Sequence, residues 1–515
     1  MNKKVVILFF PLSESGGGRQ IEKQKAMISN IPWALLSLER MIRHLDINVI
    51  IIDERFEDNY ADIITNYKDN LLFVGVSSLL GRQIEGGIKF TKSLKQITNA
   101  PVIWGGWFPT VFPEVLLKDG YADYVCMGQG EIPFKTFTER ILAGEDIEDI
   151  AGLGYKKNGN VVINKNDKLV NPEIFPKVNI DLIDINRLID INKIIPDGQR
   201  GVDYIATYGC SNSCGFCSVV QVFGSKWYAK KIPDIINDLK YFKERANISH
   251  VTFWDENIFA NKKFVLEFCH EMINSELSLT WGGFAHIGYF LKKYTDDDIR
   301  LIYRAGCRDI RLGAESGDQK TLDMINKKIK VKNTLEVVKL LKKHKIIARI
   351  FLMSCFPLNP DNDFWKSLNL MGKALLINPK LYIKIRFFVP IPKTALYQKS
   401  IEKGFTPPST TKEIVEFFNH SFTFDYIAPW TKPHYQRVMN DYVKFYFLFT
   451  DLSFFKSFPL KYRFLGFILN ILLYPAICFR IKFNFMKFPF EARIFGKLFP
   501  YEDYHKLSVK SYMVC

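Results

Sequence analysis

The chain has 515 residues, 48% of them hydrophobic, with 70 Lys and Arg against 54 Asp and Glu for a formal charge of +16. At about 150 residues per domain this predicts two to four domains with sizeable cores, which excludes a peptide hormone, a lone binding module and wholesale disorder. The positive excess points to something anionic, such as phosphate, nucleic acid or a membrane surface.

Val5 to Phe10 is a run of only six apolar residues, followed by Pro11-Leu-Ser-Glu-Ser-Gly-Gly-Gly without a small-residue cleavage site. It reads as a buried strand and not as a signal peptide. An odd total of nine cysteines, three of them (Cys210, Cys214, Cys217) within eight residues, argues against a disulfide framework. The expectation is a cytoplasmic protein with reduced thiols.

Over residues 1–150 short β-branched runs alternate with helical periodicity. Val5 to Phe10, Val49 to Ile52, Leu72 to Ser77, Val102 to Gly105 and Tyr124 to Met127 read as strands; Trp33 to Leu45, Ile84 to Gln96 and Pro133 to Leu142 read as helices. This pattern predicts a doubly wound, Rossmann-like parallel sheet whose ligands lie beyond the carboxyl ends of its strands, just after Phe10, Ser77, Gly105 and Met127. Residues 151–195 read as a connector containing a hairpin at Asn158-Gly159, with Pro172 and Pro176 beyond it. Over 196–405 six strands are predicted: Tyr204 to Thr207, His250 to Trp254, Leu279 to Phe284, Asp309 to Gly313, Ala348 to Met353 and Tyr382 to Val389. Six β/α units fit a partial TIM-type barrel with its site on the C-terminal rim.

Residues 406–515 read as a mainly α, aromatic and basic cap. Residues 421–515 hold 17 of the 44 Phe, and 13 Lys and Arg against 6 Asp and Glu. Phe464 to Phe479 is an uncharged run of 16 residues between Arg463 and Arg480, short of the ~20 that span a bilayer. Two readings stay open: a cap on the open side of the barrel, and a segment lying in a membrane interface. His420 and His434 read either as active-site groups or, more often for lone histidines in an aromatic-rich cap, as ordinary packing.

Gly209-Cys-Ser-Asn-Ser-Cys-Gly-Phe-Cys217 follows the first predicted barrel strand. A loop of this size wraps three thiolates around three irons of a cubane and leaves the fourth iron open to a ligand. A zinc knuckle needs a fourth Cys or His nearby, and none follows until His250. The spacing, together with Phe216 before the last cysteine, resembles the signature of the radical S-adenosylmethionine (SAM) superfamily, over most of 203–400. The resemblance implies a [4Fe-4S] cluster on Cys210, Cys214 and Cys217, with SAM chelated by the open iron and cleaved to a 5'-deoxyadenosyl radical. It assigns Phe216 to the adenine, Asp255 and Glu256 to the methionine amino group, Glu315 and Ser316 of Leu312-Gly-Ala-Glu-Ser-Gly317 to polar contacts with SAM, and Arg349 to either the SAM carboxylate or a strand-end salt bridge. Pro390-Ile-Pro392-Lys-Thr394 resembles a Pro-x-Pro-Gly-Thr turn with Lys393 in place of glycine.

The strand ends of the first domain carry Ser77-Ser78-Leu79, Gly105-Gly106 and Gly128-Gln-Gly-Glu131. With Pro109-Thr110 and Pro113-Glu114 these are similar to the cobalamin-binding domains of cobalamin-dependent radical SAM enzymes, which implies that Ser77, Leu79, Gly105, Gly106, Gly128, Gly130 and Glu131 receive cobalamin. The methylthiotransferase class, which places three more cysteines here, is excluded because this region has only Cys126. An Asp-x-His-x-x-Gly loop is missing after the first strand, and the first histidine is His44, so the implied cobalamin is base-off and His-off.

The resemblance implies a methyltransferase acting on an unactivated carbon of a small molecule, natural product or lipid, with flavodoxin or ferredoxin as electron donor. Two alternatives are a cyclase or rearrangement enzyme with the same cofactors, and a non-catalytic corrinoid-binding sensor. Concentration of +7 of the charge in residues 421–515 disfavours nucleic acid and favours a cap or peripheral membrane contact.

Overall fold

Alternation along the first strand decides how the first sheet is covered. In β1 (Lys4–Phe10) Val5, Ile7 and Phe9 enter one core while Val6 and Leu8 enter another, so helices lie on both faces. β1 pairs in parallel with β2 (Ile47–Asp53) and β3 (Leu71–Ser77), and β4 (Val102–Gly105) and β5 (Tyr124–Cys126) continue outward in the order 2-1-3-4-5. The order reverses between β1 and β3, where a doubly wound sheet opens a crevice beyond its carboxyl ends. The computed structural model describes residues 3–12, 31–81, 83–165, 169–191, 199–421 and 426–450, with 468, 475–476, 478–486 and 490.

The predicted helices are present as Trp33–Ile42, Gln83–Ile97 and Glu131–Ala143. The predicted hairpin is β6 (Leu153–Lys157) and β7 (Asn160–Ile163), turning through Asn158 and Gly159, both at positive φ. It belongs to the sheet and not to a connector. β6 pairs antiparallel with β5, which covers an edge that would otherwise be open and buries Leu153 and Tyr155.

The second sheet begins with β8 (Gly201–Tyr204), three residues before the expected strand. The chain leaves the ladder after Tyr204 because the Asp255 carboxylate accepts the Ala206 and Thr207 N–H groups. β9 (Thr207–Gly209) then pairs antiparallel with β10 (Trp227–Ala229), so the cysteines lie inside a hairpin hung from the barrel rim. β11 (His250–Phe253), β12 (Thr280–Ala285), β13 (Cys307–Glu315), β14 (Ile347–Ser354) and β15 (Tyr382–Phe387) follow in sequential parallel order. β8 and β15 remain its two edges, so the barrel is partial.

Parallel strands with helices outside bury one side of each strand completely. Ile310, Leu312, Ala348, Ile350 and Ile383 alternate with Asp309, Arg311, Arg349 and Lys384, and the apolar set enters the core shared with the helices. The polar set faces the barrel interior.

The two sheets are joined by Trp33, whose indole N–H donates to the Asp203 carbonyl (3.2 Å) and whose ring meets Tyr204 edge-on. The helix Thr411–Ser421 returns to the first sheet, placing Ile414 and Phe418 in its core. The helix His434–Thr450 packs on the helix Pro360–Ile377 between β14 and β15, with Tyr435 stacked on Phe364 at 4.0 Å. The described part of the cap therefore lies on the outer helix layer and on the first domain, with Trp430 reaching Cys355 and Phe388 at the carboxyl ends of β14 and β15. Most of Phe464 to Phe479 lies outside the described residues. No helix among the described residues is long and apolar enough to cross a membrane.

Candidate functional site

The cysteine loop runs from β9 to the short helix Val219–Phe223. Gly209 enters it at φ +80°, where a Cβ would sit 2.4 Å from the Lys226 carbonyl, so only glycine fits. Gly215 N–H donates to the Ile325 carbonyl (2.8 Å), Leu396 N–H to the Gly215 carbonyl (3.0 Å) and the Asn326 amide to the Ser213 carbonyl (3.0 Å). These bonds hold Cys210, Cys214 and Cys217 as three free, partly exposed thiols.

Among the described residues no three His, Cys, Asp or Glu side chains converge on a single-ion position. A cubane takes its thiolates at separate corners, and this loop with three cysteines and no fourth ligand fits it. Burial pushes the Cys217 thiol up to about 12 and raises Cys214, with the Lys327 ammonium opposing in both cases. Cluster assembly must therefore displace protons.

The structure brings Phe216, Glu256 and Glu315 to this loop. The Phe216 ring lies edge-on to Phe356, with the Lys327 ammonium 5.9 Å away. Glu256 accepts the Gly209 N–H at 3.0 Å. Glu315, at φ +60° at the end of β13, forms a buried ion pair with Lys327 at 2.6 Å, and both charges act on Cys214.

Three further residues assigned to SAM make contacts within the protein. Asp255 is fully buried, anchors the Ala206–Thr207 turn, and is raised to about 7 by burial. The Ser316 hydroxyl donates to Asp363 and accepts the Asp318 N–H, which fixes the turn after β13. Arg349 lies in the N-terminal half of β14, away from the rim, where its Nε donates to Asp309 at 2.9 Å. The salt-bridge alternative is the one seen for it. Lys327 was not found from sequence, since a lysine twelve residues after Glu315 carries no local pattern.

All seven residues assigned to cobalamin line one cavity of about 340 Å³: Ser77, Leu79, Gly105, Gly106, Gly128, Gly130 and Glu131. Its opposite wall is the barrel rim, from Asp203, Ile205, Tyr208, Phe223, Trp254 and Glu256. At Gly105 a Cβ would meet nothing closer than 3.9 Å, and at Gly130 nothing closer than 3.5 Å, so side chains there would fill the cavity. Gly106 is at φ +98°, with a Cβ position 2.6 Å from the Ser78 carbonyl. These glycines form a cradle open to a bulky ligand.

Glu131 pairs with Arg40 at 3.4 Å, although burial raises its pKa. Gly128 N–H donates to the Thr110 hydroxyl, and Lys393, at φ +63°, donates from Nζ to the Thr110 carbonyl, tying the turn after β15 to the first sheet. Asp203 is raised to about 6 by burial, with a side-chain hydrogen bond from Trp254 and the Arg311 and Arg55 charges opposing the rise. His44 is exposed and 3.5 Å from Glu139, far from a ligating role, while the loop after β1 on which the His-off reading rests lies outside the described residues beyond Leu12. His434 is also exposed, beside Tyr435, and the His420 side chain lies outside the described residues.

Residues 204–371 match the family profile of the radical SAM superfamily, and residues 29–138 that of the B12 binding domain. An uncharacterized methyltransferase of Pyrococcus horikoshii is 25% identical over 403 residues, covering 77% of this chain and 83% of its own. The anaerobic magnesium-protoporphyrin IX monomethyl ester cyclase of Synechocystis sp. is 23% identical over 412 residues, covering 78% of each chain. Among solved structures, the cobalamin-dependent SAM radical enzyme OxsB with aqua-cobalamin and SAM bound superposes with a TM-score of 0.65 at 14% identity, over 98% of this chain and 76% of that one. That likeness is one of fold.

Proposed function

Because the chain belongs to the cobalamin-dependent radical SAM enzymes, with a B12 binding domain ahead of its radical SAM domain, we propose that it is a methyltransferase acting on an unactivated carbon of a small molecule. The observation that carries this reading is the shared cavity. Glycine-lined strand ends of the first sheet and the rim residues beside the cysteine loop face one another across it. When bound, SAM on the cluster supplies a 5'-deoxyadenosyl radical and cobalamin supplies the methyl group.

An sp3 carbon has no acidic proton, so the protein's work is orientation and exclusion of water and not general-base catalysis. Cys210, Cys214 and Cys217 hold the cluster on a loop fixed at Ser213 and Gly215. Lys327, kept ionised by Glu315, places positive charge beside thiolates and a carboxylate-bearing ligand. Phe216 packs against the adenine, and Glu256 positions Gly209 at the loop's entry. Ser77, Leu79, Gly105, Gly106, Gly128, Gly130 and Glu131 surround the cobalamin, with Trp254 and Phe223 closing the barrel side against water. On this reading the cobalamin would be held base-off and His-off, His44 being exposed beside Glu139. On this reading residues 1–150, with the β6–β7 hairpin, form the cobalamin unit and 196–405 the radical unit, of a cytoplasmic protein reduced by flavodoxin or ferredoxin.

The test is anaerobic reconstitution with iron, sulfide and hydroxocobalamin, followed by reduction with methyl-labelled SAM. The expected result is label on cobalamin, with both S-adenosylhomocysteine and 5'-deoxyadenosine formed. Formation of 5'-deoxyadenosine without label transfer would replace methylation by the cyclase reading. Cobalamin binding with no 5'-deoxyadenosine would leave a corrinoid sensor.

A further inference from the structure

A groove of about 820 Å³ lies on the surface of the barrel unit, apart from the cofactor cavity, and its walls carry Lys292, Lys328, Lys330 and Lys332 against Asp323 and Glu336. All four lysines are exposed. Lys332 is 3.6 Å from Glu336, whereas Lys292, Lys328 and Lys330 make no ion pair among the described residues. Ile329 is buried, while Lys328 and Lys330 on either side of it are exposed.

An exposed row of lysines is ordinarily a solvated face. This one is joined to the cysteine loop. The wall segment is fixed to that loop by the Gly215 bond to Ile325 and the Asn326 bond to Ser213. The loop's other flanks are covered: Leu396 bonds Gly215 on one, and Trp107 of the first domain meets Phe223 on another. The lysine groove is lined by the residues that follow Ile325 and Asn326, the segment bonded to the loop's third side.

We propose that this groove is the docking surface for an acidic one-electron carrier protein that reduces the cluster, an inference that rests on the radical SAM reading. The carrier's reduced cofactor loses one electron and the cluster gains it, with no bond made or broken in the transfer. Lysines without an ion pair around a concavity steer an acidic partner and orient it at a surface whose wall segment is hydrogen-bonded to the cysteine loop. Small anionic reductants need no such orientation.

The experiment compares two reductants on the full-length protein reconstituted with cluster and cobalamin: enzymatically reduced flavodoxin, and dithionite. The variant is Lys292→Glu with Lys330→Glu and Lys332→Glu, which spares Lys327 and Lys328 next to the cysteine loop. The expected outcome is a fall of about tenfold or more in flavodoxin-driven 5'-deoxyadenosine formation. The salt dependence seen with the wild type should also be lost, while iron content and the dithionite-driven rate stay unchanged. An unchanged flavodoxin-driven rate, or an equal fall with both reductants, would overturn the docking surface. Failure of the wild type to form 5'-deoxyadenosine with either reductant would instead strike the radical SAM reading itself.

Discussion

The two halves of the proposed site are built by opposite means. At the end of the first sheet, Gly105 and Gly130 leave space that a Cβ would occupy, and the ligand's shape has to supply the rest. At the barrel rim the cysteine loop is tied at Gly209, Ser213 and Gly215 to three separate segments, and a buried Lys327–Glu315 pair stands beside it. The difference teaches that a bulky, many-contact cofactor is received by removing side chains. A cluster needing three thiolates in fixed relation is received by adding restraints.

The sharpest way to break the comparison is at the cysteines. Changing any one of Cys210, Cys214 or Cys217 to Ala should abolish cluster retention and 5'-deoxyadenosine formation, measured as iron and sulfide per chain, while cobalamin binding persists because its cradle lies on the other sheet. Loss of cobalamin along with iron would show that the two halves are not separable.

Lys327→Met should destabilise the apo protein by about 3–5 kcal/mol, since it strands the Glu315 carboxylate in a buried site. Adding Glu315→Gln should recover part of that loss. Chemical denaturation of both variants reads this directly.

Neighbouring glycines of the cradle should diverge. Gly106→Ala meets both a positive φ and the Ser78 carbonyl and should cost about 1–3 kcal/mol of stability. Gly105→Val, with free space around its Cβ, should leave the denaturation midpoint nearly unchanged yet weaken cobalamin binding by about tenfold or more, followed in the corrinoid absorption spectrum.

The smallest effect concerns pH. Burial raises Asp363, the partner of Ser316, from 3.8 to about 7. The folded state therefore holds a proton that the unfolded chain has released, and the stability this confers is full below about pH 4 and is lost as pH rises toward 7. Asp363→Asn should flatten that slope, by at most about 1.4 kcal/mol per pH unit, between denaturation curves at pH 5 and pH 7.

Much of this was legible in the residues. Period-2 runs of Val, Ile and Phe marked both sheets, and the doubly wound rule placed Ser77, Gly105 and Gly128 at ligand-facing strand ends because that position depends only on strand order. The cysteine spacing picked out three proposed ligands because they are neighbours in the chain. Asp255, Ser316 and Arg349 were assigned to SAM by motif alone, and tertiary packing gave them to a turn, a buried carboxylate and an interior salt bridge.

The sequence by itself thus determined the two β/α units, the cysteine triplet after the first barrel strand and the glycine strand ends, since each follows from local periodicity or spacing. Only the tertiary structure decided that the β6–β7 hairpin completes the first sheet, that Lys327 rather than Arg349 stands by the cysteine loop, and that lysines on separate helices and turns share one groove beside it. These are long-range pairings set by burial and charge compensation across segments distant in the chain, and no local pattern records them.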